Sequence, residues 1–155
     1  MDAVNTFQVF DWLWTSGQIS VEDIRQIQLE GFTTVINLAL PTSSNALKGE
    51  AEQVANLHMN YINIPVEWEL PEVAQFELCA KLLNDLHERG HKVWLHCALN
   101  NRVSVFVYLY RKLVLGQPEE EAAHPMQEIW TPIPLWREFM EEVIDQLKIR
   151  KTKFQ

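Results

Sequence analysis

The sequence predicts an α/β fold: a central, mostly parallel sheet of four to five strands flanked by helices. Two observations carry this expectation. Short apolar, β-branched or aromatic runs alternate along the chain with longer stretches of helical periodicity, the pattern of parallel strands joined by helical crossovers. One run, Val93-Trp94-Leu95-His96, passes through a short polar loop directly into the helical-looking run Val103 to Leu115. At 155 residues, with 47% hydrophobic and 22% charged residues, the chain is long enough for one domain, residues 1–155, with a core that needs no disulfide.

The elements follow in order. Leu13 to Thr15 reads as a short edge strand closed by a Ser16-Gly17 turn. Ser20 is a good N-cap, with Asp23 in the reciprocal position of a capping box. The helix it opens carries Ile24, Ile27 and Leu29 and stops at Gly31. Thr33 to Leu40 has the length and composition of a strand and is closed by Pro41. Thr42 to Asn45 reads as loop, Gly49 to His58 as a short helix, and Met59 to Ile64 alternates like a strand that ends at Pro65. A loop, Val66 to Leu70, leads into a helix with Pro71 near its first position, running to Gly90. Beyond the Trp94 strand, one helix is expected to about Leu115, where Gly116 ends it. Pro118 to Trp130 is helical in composition with a break at Pro125, and Leu135 to Ile149 closes the chain as an amphipathic helix.

The chemistry concentrates at Val93-Trp94-Leu95-His96-Cys97-Ala98-Leu99-Asn100-Asn101-Arg102-Val103-Ser104. Strand, thiol, polar loop and helix in that order place Cys97 where backbone N–H groups and a helix N-terminus converge. Such a place favours a thiolate and binds an anion. Arg102 adds a planar fork suited to a tetrahedral oxyanion such as phosphate. Asn100 and Asn101 fit the same role, because Asn tolerates positive φ better than most residues and brings amide donors. The plainer alternative is an ordinary polar turn between strand and helix. Cys79, by contrast, lies among Phe76, Leu82, Leu83 and Leu86 at helical spacing and reads as a small core residue.

This loop, with its strand and helix, resembles the dual-specificity branch of the protein tyrosine phosphatase superfamily. Ser16-Gly17-Gln18 followed by a helix, then Gly31-Phe32-Thr33-Thr34-Val35-Ile36-Asn37-Leu38, looks like a bacterial branch of uncharacterised phosphatases. Ile62-Asn63-Ile64-Pro65-Val66-Glu67 sits about where that group has the segment before its acid loop, so the likeness runs from roughly Trp14 to Leu115. The resemblance implies a phosphatase-like fold with Cys97 as nucleophile. It implies a phosphate-binding loop of Ala98, Leu99, Asn100, Asn101, Val103 and Ser104 with Arg102, and His96 as a residue that orients the loop by hydrogen bonding. The family pattern has one residue more between Cys and Arg and a Ser or Thr directly after the Arg; here Val103 intervenes before Ser104. Two registers are therefore open. Either Ser104 keeps its slot and Val103 replaces the Arg, or Arg102 keeps its role in a loop one residue short, a length that resembles rhodanese sulfurtransferases. The second keeps a cation in a buried anion site. Ser104 either donates to the thiolate or caps the helix.

The family mechanism also needs an acid for the leaving group, normally an Asp on a separate loop. The chain has no Asp between Asp23 and Asp85, and Val66 to Glu72 offers only glutamates. Glu67 is the first candidate and Glu69 the second, while Glu72 suits the helix N-terminus; each also fits a plain solvated carboxylate. Trp68 beside them suits the wall of an aryl-phosphate pocket. Trp12, Trp14, Trp130 and Trp136 read as core or rim, and His58, His87, His91 and His124 form no ligand spacing, so neither a metal nor a cofactor is expected.

A net charge of −8 and a pI near 5.1 argue against a nucleic-acid partner. No apolar run reaches membrane-spanning length, and Met1 to Asn5 lacks the basic start of a secretory signal, so a cytoplasmic location is expected. The expected activity is hydrolysis of a phosphorylated small molecule or phosphoprotein through a phosphocysteine. The alternatives are a sulfurtransferase with a persulfide on Cys97 and a phosphate- or phosphoprotein-binding module without turnover.

Overall fold

The computed structural model describes residues 1–153, with side chains described through Lys148. Strands β1 (Phe7–Phe10), β2 (Leu13–Ser16), β3 (Thr34–Asn37), β4 (Asn60–Asn63) and β5 (Val93–His96) form one sheet in the order β1-β2-β5-β3-β4. The pairs β2–β5, β5–β3 and β3–β4 are parallel, and only β1 runs antiparallel, against β2. The sheet is thus mostly parallel, as the sequence predicts. Leu13 to Thr15 is not an edge strand, however. Phe7–Phe10, unremarked in the sequence, covers that flank.

Alternation along the strands divides the core between the two faces of the sheet. Val35 and Trp94 face one side with Ile24 and Ile27 of α1 (Val21–Leu29) and Val54 of α2 (Glu50–Asn56). Leu13, Ile36, Val93 and Leu95 face the other, where they meet α3 (Val73–Glu88), α4 (Asn101–Leu109) and α7 (Pro134–Lys153). The capping box expected at Ser20 and Asp23 is present. Pro71 lies just outside α3, whose N-cap is Glu72; the Glu72 N–H donates to Gln75 Oε1 at 3.2 Å. The helix expected to reach Leu115 is α-helical only to Leu109 and continues as a π-helical turn, Tyr110–Val114. The break at Pro125 separates α5 (Glu119–Ala122) from α6 (Met126–Ile129).

The topology decides where a site forms. The crossover from β2 to β3 lies on one face and that from β4 to β5 on the other, with β5 at the centre, so the connections leaving the strand C-termini diverge there. Ligands of open α/β sheets bind at this kind of switch point. Four segments meet: 16–18 after β2, 38–41 after β3, 64–70 after β4 and the Cys97 loop after β5.

Trp136 of α7 ties this end of the sheet to the last helix. Its ring is fully buried and its Nε1 donates to the Trp68 carbonyl at 3.0 Å. Trp136→Ala should therefore cost roughly 3–5 kcal/mol, the range for deleting a buried aromatic. Chemical denaturation should show an earlier midpoint with little change in slope.

Candidate active site

Cys97 follows β5 directly and is 1% exposed. Asn100, the N-cap of α4, has φ 73°, the left-handed conformation expected of it, and the helix begins at Asn101. Arg102 therefore stands in the first helical turn rather than in an extended loop.

The orientation of the loop follows from where its carbonyls go. The Cys97 carbonyl faces His96 Nδ1 at 3.2 Å. The Ala98 carbonyl accepts from the Gln18 N–H at 3.0 Å and from Asn45 Nδ2 at 3.1 Å. The Leu99 carbonyl accepts from Asn5 Nδ2 at 2.9 Å. Across a trans peptide, C=O and N–H point in opposite directions. With the Cys97 carbonyl turned to the neighbouring His96 ring and the next two bound by surrounding segments, the N–H groups of Ala98, Leu99 and Asn100 are turned the other way. Together with the N–H groups at the start of α4 they form a nest, the kind of concavity in which an anion can bind.

A cavity of about 200 Å³ opens over this nest, lined by Trp68, Cys97, Ala98, Leu99, Asn101 and Arg102. Arg102 is 8% exposed, and its Nη1 donates to the Val66 carbonyl at 2.8 Å, joining the segment after β4 to the Cys97 loop. Val103 packs fully buried in the core. The geometry thus takes the register in which Arg102 faces the cavity and the loop is one residue short. Ser104 is also turned away. Its hydroxyl donates to the Asn101 carbonyl at 2.7 Å and accepts from Trp130 Nε1 at 2.9 Å, the helix-turn role of its two alternatives. Asn100 Nδ2 donates to the Asn5 carbonyl and Thr15 Oγ1, so this side chain braces the loop and does not line the cavity.

Glu67 to Leu70 form a tight turn closed by the Leu70 N–H to the Glu67 carbonyl at 3.2 Å. The turn aims Trp68 at the cavity, where its ring leans on Trp130 and Trp136 at 5.4 and 5.5 Å between centroids. Glu67, Glu69 and Glu72 are exposed, and no carboxylate lines the cavity. The second cysteine does not line the cavity. Cys79 lies in the apolar core of α3, where burial pushes its thiol up to about 12. Among the described residues no cluster of His, Cys, Asp and Glu has the arrangement of a metal site.

Cys97, Arg102 and the loop between them thus line one cavity at the C-terminal end of the sheet. Residues 5–132 match the family described as DSP-PTPase phosphatase fused to NAD+ kinase. The chain belongs to that family. It is a phosphatase of the dual-specificity/protein tyrosine phosphatase type, as the resemblance implied. Among solved structures, a candidate phosphatase (DUF442) of Shewanella putrefaciens CN-32 is 26% identical, covers 94% of this chain and 95% of its own, and superposes with a TM-score of 0.81. PTPMT1 in complex with PI(5)P shares the fold at 15% identity, with coverage of 94% and 98% and a TM-score of 0.79. So does P. aeruginosa TpbA in complex with phosphotyrosine, at 19% identity, coverage of 80% and 72%, and a TM-score of 0.65. No match is found among curated proteins.

Sequence reasoning missed Asn5 and Asn45 as supports of the loop, and nothing local marks them, since they lie far away along the chain. Gly17 was legible only as a turn. A Cβ there would sit 2.8 Å from the Ala98 oxygen and 3.2 Å from Leu99 Cα, so only glycine lets β2's end back against the Cys97 loop. Gly17→Ala should displace the loop. The expected result is a loss of phosphate or vanadate affinity of about ten-fold or more, since small displacements of positioned groups have large effects. Titration of both proteins checks it, with circular dichroism to show that the fold persists.

Proposed function

We propose that this phosphatase hydrolyses phosphate monoesters through a phosphocysteine intermediate on Cys97. The single observation that carries this reading is that Cys97 and Arg102 share one cavity over a nest of inward-turned N–H groups. In the proposed reaction the Cys97 thiolate attacks phosphorus in line, forming an S–P bond as the P–O bond to the leaving group breaks. Arg102 and the N–H groups of residues 98–102 hold the equatorial oxygens, where charge is concentrated in the transition state. Water then attacks the phosphocysteine, and inorganic phosphate leaves as the thiolate is restored. His96 orients the loop and takes no proton from the nucleophile.

For the substrate we infer a phosphorylated small molecule or phosphoprotein whose phosphate enters the nest while the rest lies along Trp68. A cavity of about 200 Å³ admits a phosphoryl group and part of its leaving group. An aromatic wall favours an aryl or other apolar carrier. The phosphotyrosine and PI(5)P held by the structural neighbours are ligands of both proposed kinds. The sulfurtransferase and binding-module alternatives gain no support from the comparisons.

The exposed position of Glu67 bears on the acid. In this reading Glu67 protonates the leaving oxygen from an imperfect, solvated position, so it matters most when the leaving group is a poor one. A series of substituted phenyl phosphates tests the whole scheme. Cys97→Ser should abolish turnover, and Arg102→Lys should be severely impaired because an ammonium cannot reproduce the planar fork. Glu67→Gln should lose activity on poor leaving groups while keeping it on p-nitrophenyl phosphate, by less than the roughly hundred-fold effect of a well-placed acid. Identical leaving-group dependence in Glu67→Gln and the unaltered enzyme removes Glu67 from the mechanism. Near-normal activity of Arg102→Lys removes Arg102 from the site.

A further inference from the structure

Glu50 is the first residue of α2, 5% exposed, and has no part in the chemistry above. Its Oε2 lies 2.7 Å from His96 Nε2, its Oε1 accepts from Gln18 Nε2, and the Tyr61 hydroxyl is a further hydrogen-bond partner. Tyr61 in turn accepts from Asn37 Nδ2 at 3.0 Å. Burial on its own would raise the Glu50 carboxyl. The hydrogen bond and charge of His96 and the hydrogen bonds of Gln18 and Tyr61 outweigh burial and hold it below its ordinary value.

Two of these partners continue to the Cys97 loop. His96 Nδ1 faces the Cys97 carbonyl oxygen, and the Nε2 contact with Glu50 fixes the plane of the ring. Gln18 is held by its side chain on Glu50, while its main-chain N–H donates to the Ala98 carbonyl. One buried carboxylate thus stands behind two consecutive peptide groups, Cys97–Ala98 and Ala98–Leu99. Their N–H groups belong to the oxyanion nest.

We propose that Glu50 is a positioning residue for phosphoryl transfer: through His96 and Gln18 it aims the Ala98 and Leu99 N–H groups at the oxyanion. This rests on the reading that the Cys97 loop binds one. A second feature makes the assignment testable by chemistry. Glu50 and Tyr61 line another cavity, of about 460 Å³, with Asn37, Lys48 and Asn63. It shares no lining residue with the cavity over Cys97. A small carboxylate can therefore reach the position of a truncated Glu50 without entering the catalytic cavity.

The experiment compares Glu50→Ala and Glu50→Gln with the unaltered enzyme for vanadate affinity and for kcat on p-nitrophenyl phosphate, with and without added formate. Misplacing positioned groups by about 1 Å costs up to about 10²-fold, so Glu50→Ala should lose ten- to hundred-fold in both quantities. Formate should restore much of the loss with saturation, an effect that a merely structural role would not produce. Glu50→Gln keeps one acceptor oxygen and should fall between the two; it decides the matter alone if Glu50→Ala does not fold. Unchanged vanadate affinity in either folded variant, or a loss in Glu50→Ala that formate fails to restore, overturns the proposal. Unaltered enzyme that binds no vanadate overturns the oxyanion reading first, and the Glu50 proposal with it.

Discussion

Three carbonyl groups in a row, those of Cys97, Ala98 and Leu99, are held by His96, Gln18, Asn45 and Asn5. Much else in the molecule serves this arrangement. A peptide group has only two polar ends, so binding one end outside the loop turns the other inward without any ligand present. In the proposed reaction such preorganisation would cost nothing, because the dipoles would already be aimed where charge gathers. The cost appears elsewhere in the fold. A buried carboxylate and imidazole stand behind the loop, and Asn100 adopts a left-handed conformation in front of it.

The supports come from separate parts of the chain because of the sheet topology. With β5 at the centre, the Cys97 loop has the end of β2 on one side and the segments after β3 and β4 on the other. Gly17 lets the first approach closely, Asn45 reaches in from the second, and Arg102 fastens itself to Val66 of the third. The same contact that holds the Val66 segment places the tight turn beyond it, so Trp68 lies at the cavity while its neighbouring glutamates lie in solvent.

How much of this was legible follows from the range of each interaction. The left-handed Asn100 and the step from strand to loop to helix around Cys97 could be read locally, because they follow one another within a dozen residues or so. The fold class was legible from alternating apolar runs. The flanking strand Phe7–Phe10 was not, since its register depends on pairing with Leu13–Ser16 and its own pattern is short. The register of Arg102 needed the structure, because only the start of α4 at Asn101 decides which residue of the first turn meets the cavity. The side chains of Val103 and Ser104 turn from the cavity for the same reason: a helix beginning at Asn101, two residues before the run read from the sequence, rotates them into the core and toward Trp130. Glu50 and the asparagines at positions 5 and 45 act across more than forty residues of chain. No spacing rule reaches that far.

The most direct test of a preformed oxyanion nest is a crystal structure determined without ligand and again with bound vanadate. The account predicts vanadium in line with Cys97 Sγ and equatorial oxygens on the N–H groups of residues 98–102 and on Arg102. The three carbonyls should keep the same partners in both structures. Vanadate bound elsewhere, or a ligand-free loop whose carbonyls point into the cavity, would contradict it.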